Sequence, residues 1–270
     1  MPILWEVTAG VGVARINRPE RRNALNADLC RDLLSLLRDH PDLRAVVIGG
    51  TGDRAFCAGA DLGRRAADTK PADTEAADTE AGQLEHGGGD TFRPAFEELL
   101  DAIVAYPTPV IAAVNGAALG AGMQLAVACD LRVVASTVTF GIPAGRLGVV
   151  ISAANVRRLV LTVGQPTARD VLLTARTLDV DEAERVGLVQ RRAADAVAGA
   201  TELAEEVARL APLSVEGHKR ALNVVAATST IPDAGLEQLG RRESEAFASR
   251  DLQEGLAAFS EKRAPTFDGR

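Results

Sequence analysis

Aromatic residues are scarce in this chain, since Phe, Trp and Tyr together make up 3% of its 270 residues. We therefore expect Ala, Val and Leu to fill most of the core. Apolar runs are short as well, and none reaches the roughly 18 to 20 residues that a membrane-spanning helix needs. The first six residues lack a basic stretch followed by a hydrophobic one, so we predict no signal peptide.

Cysteine is also rare. The three cysteines, Cys30, Cys57 and Cys129, are widely separated and odd in number. This pattern excludes a disulfide scaffold and a cysteine-based zinc site, and it fits a reducing, cytoplasmic location.

Histidine and net charge exclude further classes of function. None of the three histidines, His40, His86 and His218, has a plausible partner nearby in sequence, so we predict neither a Ser-His-Asp triad nor a metal site. The formal net charge of −7 argues against binding to nucleic acid.

What the chain does contain is the ordinary balance of a soluble globular protein, with 47% hydrophobic and 25% charged residues. Strand and helix patterns alternate at first: they predict strands over 3–7, 11–16, 44–50, 110–114 and 131–135, and an early helix capped by Asn26. From residue 152 onward nearly every pattern is helical, with helices predicted over 153–163, 166–173 and 232–247 among others. We predict an α+β fold (α/β in some schemes), with β-β-α units in a core over 1–200, a helical region over 201–270, and no dividing linker.

One segment differs from the rest in composition. Between residues 63 and 91 the chain is acidic and nearly free of large apolar residues, and a five-residue unit repeats over 67–81 as ADTKP-ADTEA-ADTEA. Such low complexity predicts a mobile loop or a weak surface helix.

Two turns built from small residues each follow a buried-type strand, over 54–62 and 115–122. The second is rich in glycine but lacks the Gly-Lys-Ser/Thr ending and the spacing of nucleotide-binding loops. By itself it is equally well interpreted as a tight strand-to-helix turn. Two such turns, however, could direct backbone N–H groups at one oxygen atom, which is what an oxyanion hole requires.

Six ordered motifs then identify a resemblance that covers essentially the whole chain. They are INRPERRNAL (16–25), AFCAGADL (55–62), PVIAAVNG (109–116), GAG (120–122), CDLR (129–132) and LAAFSEKR (256–263). Together they resemble the enoyl-CoA hydratase/isomerase (crotonase) superfamily. The resemblance implies a crotonase-like spiral of β-β-α units and a homotrimer or dimer of trimers assembled through the helical C-terminal region.

The resemblance also implies where a ligand binds. The N–H groups of Ala60 and Ala121 would polarise the carbonyl oxygen of an acyl-CoA thioester, helped by the positive end of the helix that begins near Gly122. Contacts to CoA would come from Arg21, Arg22, Ala24, Ala58, Asp61 and Leu62, and from Phe259 and Lys262 of a neighbouring subunit. For the two arginines, an ordinary solvated pair is the alternative interpretation.

The chain departs from the family where hydration needs acid–base chemistry. Gln124 and Ala144 occupy the positions of the two catalytic glutamates, and neither can accept a proton. A further aspartate position of some relatives holds Ser152 here, and Asn155 lies one helical turn beyond it. We interpret Asp130, like Asp61, mainly as a structural or turn-capping residue.

Two functions of different classes remain open. The pattern favours a protein that binds acyl-CoA with little or no hydratase activity, and residues 120–125 (GAGMQL) are similar to a stretch of family members of that kind. The alternative is an active enoyl-CoA hydratase or isomerase of fatty-acid metabolism that uses non-standard residues. Either way we expect no cofactor or metal beyond the CoA thioester itself.

Overall fold

The chain begins with a β-hairpin, as predicted. The computed structural model describes residues 1–61, 91–227, 244, 247–263 and 265. Strand β1 (Ile3–Thr8) pairs antiparallel with β2 (Val11–Ile16). Helix α1 (Ala27–Asp39) follows, and the side chain of Asn26 accepts a hydrogen bond from the N–H of Leu29 at 2.9 Å. This confirms Asn26 as the helix cap.

Two sheets organise the rest of the described chain. The larger adds β3 (Ala45–Gly50), β5 (Val110–Val114), β7 (Leu131–Val134) and β10 (Arg191–Arg192) to the hairpin, in the order β1-β2-β3-β5-β7-β10, with every pairing after the hairpin parallel. The smaller sheet consists of β4 (Ala55–Cys57), β6 (Ala117–Leu119), β8 (Thr139–Gly141) and β9 (Thr177–Asp179). Its strand order is β4-β6-β8-β9, and only the β8–β9 pairing is antiparallel.

From β3 to β8, successive strands alternate between the two sheets. Each of β3, β5 and β7 lies in the larger sheet, and the strand that follows it, β4, β6 or β8, lies in the smaller one. Helices α2 (Phe92–Ala105), α3 (Ala121–Ala128) and α4 (Ala153–Thr174) come after these strand pairs. The mixed α/β class and the repeated β-β-α units are therefore confirmed, whereas the short strands of the smaller sheet were not predicted.

The central strands of the larger sheet are buried on both faces. Alternate residues of β3 illustrate this: Val46 and Ile48 belong to the main core, which also contains apolar side chains of α1, α2 and α3, whereas Ala45 and Val47 pack in a second cluster against α6 (Ala196–Ala208). Side chains of a strand point to opposite faces in turn, so a strand covered on both sides becomes a continuous apolar run. The predicted boundary at residue 200, between the core and the C-terminal helical region, falls inside helix α6. This boundary remains a prediction.

The C-terminal part is helical, as expected. It contains α5 (Val180–Arg185), α7 (Pro212–Ala227) and α8 (Arg250–Glu261). Helix α4 breaks at Gly164, where φ is 74° and ψ is 158°, so the two helices predicted over 153–163 and 166–173 are confirmed as its two halves. The repeat over 67–81 and most of the helix predicted over 232–247 lie outside the described residues.

No helix within the described ranges is both long enough and apolar enough to cross a lipid bilayer.

Helix α3 approaches strand β4 so closely that its second residue must be glycine. A Cβ atom at Gly122 would lie 2.0 Å from the carbonyl oxygen of Cys57, which is backbone and cannot rotate away. Helix α3 can keep its position against β4 only because Gly122 has no side chain.

We expect Gly122→Ala to lower the free energy of unfolding by about 1–3 kcal/mol, because the helix has to shift to relieve the overlap. The matched control is Gly217→Ala in α7, where an added Cβ meets nothing within 4 Å. That change should be neutral or stabilising by up to about 1 kcal/mol, through helix propensity. Urea unfolding of the three proteins measures the difference, and equal midpoints for both variants would contradict the close approach.

Candidate functional site

Three bends at one edge of the smaller sheet line a common cavity of about 650 Å³. They follow the strands β4, β6 and β8, at Ala58–Asp61, Gly120–Ala121 and Ile142–Ala144 in turn. Because these strands pair in parallel, their carboxyl ends lie side by side, which is where open α/β sheets usually bind ligands.

The first two bends touch each other. A Cβ atom at Gly59, where φ is 121°, would lie 3.3 Å from the carbonyl oxygen of Leu119, and one at Gly120, where φ is 57°, would lie 3.7 Å from the Cα of Gly59. Both φ values are in the region that favours glycine. The contact brings the backbones of Ala60 and Ala121 to neighbouring positions in the cavity wall.

The N–H group of Ala60 is turned away from the adjacent chain segment. Leu25 donates its N–H to Gly59 O at 2.9 Å and accepts the N–H of Asp61 at 2.7 Å, in an isolated parallel bridge with Ala60. In such a bridge the two polar backbone groups of Ala60 point to the opposite side. Among the described residues, no backbone acceptor takes the N–H of Ala60.

The N–H group of Ala121 is the first of helix α3. The first N–H groups of a helix have no acceptor within the helix. Gly120, just before it, donates to Gly141 O at 2.8 Å, and the N–H of Gln124 reaches Gly120 O at 3.2 Å. Ala121 has no corresponding backbone partner in the part of the chain that is described, and its side chain is a buried methyl group.

The polar end of the cavity is held by ion pairs. Asp61 accepts hydrogen bonds from Arg18 at 2.8 Å and from Arg21 at 2.9 Å. Burial alone would raise the pKa of the Asp61 carboxyl, but the two guanidinium groups outweigh it and lower the pKa below its usual value. Arg22 and Ala24 line the same end, and Arg22 is exposed.

The two positions at which the resemblance leads us to expect glutamates also face the cavity. Gln124 and Ala144 both line it, and the side-chain amide of Gln124 donates to Gly120 O at 3.2 Å. Ser152 lines it too and caps α4 by accepting the N–H of Asn155 at 3.3 Å. Neither an amide, a methyl group nor a capping hydroxyl is a proton acceptor near neutral pH.

A carboxylate that the motifs do not indicate lies in the same wall. Glu97 of α2 lines the cavity, and its Oε1 accepts a hydrogen bond from Asn155 Nδ2 at 2.8 Å. In the sequence it is one of several acidic residues of a helix. The only sequence feature that could have indicated Glu97 as a site residue is its place next to Phe96, on the edge of the buried face of α2.

Other predicted residues have different environments. Ala58 and Phe259 border the cavity, whereas Lys262 follows the end of α8, is exposed, and is not among the described lining residues. Leu62 lies outside the described residues. Asp130 accepts hydrogen bonds from Val110 N–H and Lys219 Nζ, both at 2.7 Å, which fits its structural interpretation.

The cysteines take no part in this site. Cys30, Cys57 and Cys129 are free and buried, and burial raises the pKa of each thiol to about 12. Within the described ranges, no three His, Cys, Asp or Glu side chains are grouped to hold a metal ion.

We expect Asp61→Asn to lower the free energy of unfolding by about 1–3 kcal/mol at pH 7, because two charged hydrogen bonds are weakened. The pKa of Asp61 is lowered in the folded protein, so its stabilisation is present above the unfolded value of about 3.9 and is lost as pH falls through the folded value. The difference between variant and wild type should therefore shrink below about pH 4. Urea titrations at pH 7 and pH 3 measure it, and a difference that stays constant would contradict this account.

The control is Asp39→Asn, an exposed position in the last turn of α1. It should change stability by less than about 0.5 kcal/mol at either pH.

Comparison with known proteins shows the same architecture across the full chain. The family model for enoyl-CoA hydratase/isomerase matches residues 6–270. A Mycobacterium tuberculosis protein named "Probable enoyl-CoA hydratase echA8" is 37% identical over 273 residues, covering 99% of this chain and 98% of its own length.

Solved structures agree. An enoyl-CoA hydratase/isomerase from Pseudoalteromonas atlantica is 34% identical with a TM-score of 0.81, covering 99% of this chain and 100% of its own. A carnitinyl-CoA hydratase from Mycobacterium avium is 32% identical with a TM-score of 0.80, covering 100% and 99%. The family model matches nearly the whole length of this chain. The chain therefore belongs to the enoyl-CoA hydratase/isomerase family, the crotonase superfamily that its motifs indicate.

Proposed function

We propose that this protein binds an acyl-CoA thioester whose carbonyl oxygen accepts hydrogen bonds from Ala60 and Ala121, and that its hydratase activity is weak or absent. The observation that carries the proposal is the pair of N–H groups, on touching bends of one cavity, without backbone acceptors among the described residues. Two preorganised donors of this kind polarise a carbonyl and stabilise the negative charge of an enolate.

The surroundings of the two donors suit that role. Ala121 is the first residue of α3, so the positive end of the helix dipole reinforces its N–H. Alanine at both positions leaves room for a thioester, since the donors belong to the backbone and a larger side chain would occupy the space of the ligand.

The polar end of the cavity suits the phosphates of CoA. Arg22 is exposed and has no ion-pair partner in the described part of the chain, whereas Arg21 forms an ion pair with Asp61 through its Nη1. We assign Arg21, Arg22, Ala24, Ala58 and Leu62 to the path of the CoA moiety. Lys262 and Phe259 would reach the CoA of a neighbouring subunit in a trimer or dimer of trimers.

The expectation of weak or absent turnover follows from Gln124 and Ala144. Hydration requires a base to activate water and an acid to protonate the α carbon, and each positioned group contributes a factor of about 10² to 10⁴. With an amide and a methyl group at these positions, the cavity keeps its donors and lacks that proton-transfer pair.

Turnover is the second candidate function, because the echA8 relative carries the name of a hydratase. In this case the chain would be an enoyl-CoA hydratase or isomerase that uses other residues for proton transfer.

Carbonyl recognition can be tested with a matched pair of ligands. We expect hexanoyl-CoA to bind about 10-fold more tightly than S-hexyl-CoA, a thioether without the carbonyl, because only the thioester accepts the two hydrogen bonds. Ala121→Pro removes one donor at the first helical position, where proline is tolerated, and should abolish most of this preference. Calorimetry measures both affinities.

Wild-type protein that binds both ligands equally would contradict the oxyanion hole. Protein that binds no CoA ester of any acyl length would contradict the proposed function as a whole. Helical content by circular dichroism controls for the folding of the proline variant.

Restoring both carboxylates tests the explanation for weak turnover. We expect wild-type protein to hydrate crotonyl-CoA slowly or not at all, and Gln124→Glu combined with Ala144→Glu to raise the rate by a factor of about 10² or more. Loss of the absorbance of the conjugated thioester follows the reaction. Rapid hydration by the wild type would favour the second candidate instead.

A further inference from the structure

The acyl end of the cavity contains a carboxylate with one unused oxygen. Three described carboxylates line the cavity: Asp61 is paired with two arginines, Glu20 lies on the exposed turn before Arg21, and Glu97 is hydrogen-bonded to Asn155. The Glu97 side chain is 26% exposed. It is therefore partly desolvated before any ligand arrives.

A hydrogen-bond network fixes the position of this carboxylate. Arg158 Nη1 donates to Asn155 Oδ1 at 2.6 Å, which orients the amide so that its NH₂ donates to Glu97 Oε1 at 2.8 Å. Asn155 is 3% exposed, so the amide has little freedom to turn. Arg158 also pairs with Asp101, which holds its guanidinium in place.

The second oxygen of Glu97 has no such partner. Glu97 Oε2 lies 3.9 Å from Arg158 Nη1, which is within reach of electrostatic attraction but beyond a hydrogen bond. No described residue donates a hydrogen bond to it. Solvent can reach this side chain, which is partly exposed.

Much of the cavity wall is apolar, and although Arg93 and Ser152 also line it, neither donates a hydrogen bond to Glu97 Oε2. Four of the seven phenylalanines of the chain line the cavity, and Phe92 and Phe96, one turn apart in α2, stack with their ring centroids 5.2 Å apart. Phe96 directly precedes Glu97. Ile142 and Val150 line the cavity as well. An acyl chain packed here displaces water from Oε2, and a buried acceptor without a donor is costly.

We propose that Glu97 is a specificity-determining residue that selects acyl-CoA ligands whose acyl group carries a neutral hydrogen-bond donor, such as a hydroxyl, over unsubstituted acyl chains. The inference rests on the proposed function. A neutral donor fits better than an ammonium group, because an ammonium group is costlier to transfer from water into a largely apolar cavity. Phe92 and Phe96 would contact the remaining apolar part of the acyl group.

The test compares acyl-CoA ligands of one length. Calorimetry is performed with hexanoyl-CoA and with its isomers hydroxylated at each carbon from C3 to C6. At least one hydroxylated isomer should bind the wild-type protein about 10-fold or more tightly than hexanoyl-CoA, since a hydrogen bond to a charged acceptor gains about this factor.

Variants at two adjacent glutamates separate a specific effect on ligand preference from a general effect on ligand binding. Glu97→Leu should abolish or reverse the preference while hexanoyl-CoA still binds. Glu98→Gln, on the exposed side of the same helix where Glu98 pairs with Arg38, should keep it. Glu97→Gln retains an oxygen for Asn155 and should weaken the preference even if the leucine variant does not fold.

Three outcomes would overturn the inference. If hexanoyl-CoA binds as tightly as every hydroxylated isomer, Glu97 does not select, although the proposed function stands. If no acyl-CoA binds, both fail. If affinities are equal and α hydrogens of hexanoyl-CoA exchange with D₂O in the wild type but not in Glu97→Gln, the carboxylate accepts a proton from carbon and the selection role is wrong.

Discussion

The parallel pairing of β4, β6 and β8 is the constraint on which the rest of this structure depends. These three strands have three residues each, and their parallel register brings three bends to one edge of the smaller sheet. The bends can approach only because glycine occupies positions 59, 120 and 122, where a side chain would be strained or would overlap backbone. A shift in this register would separate the N–H groups of Ala60 and Ala121.

The cavity combines few polar groups with a largely apolar wall. At one end Asp61 and its two arginines form an ion-paired cluster, and at the other Glu97 is oriented by Asn155 and Arg158. The wall of the same cavity also contains the backbones of Ala60 and Ala121 and the side chains of Gln124 and Ser152. The proposed binding of a thioester depends on the placement of these groups, and it does not need an ionisable group at the reacting carbon.

Hydrophobic periodicity was sufficient to predict the larger elements. The β1–β2 hairpin, the Asn26 cap, β3, β5, β7 and the break in α4 all produce local signals that extend over four or more residues or use a specific capping or breaking residue. The strands of the smaller sheet do not. β4, β6 and β8 are short and made largely of small residues, so their identity depends on pairing partners about 20 to 60 positions away in sequence.

The sequence by itself determined the family and the small-residue bends, because these are properties of contiguous motifs. Only the tertiary structure decided that the bends touch and that Glu97 shares their cavity. Glu97 and Asn155 are 58 positions apart, and their hydrogen bond exists because α2 and the start of α4 pack beside each other. Contacts of this kind come from the packing of whole elements, and no local pattern encodes them.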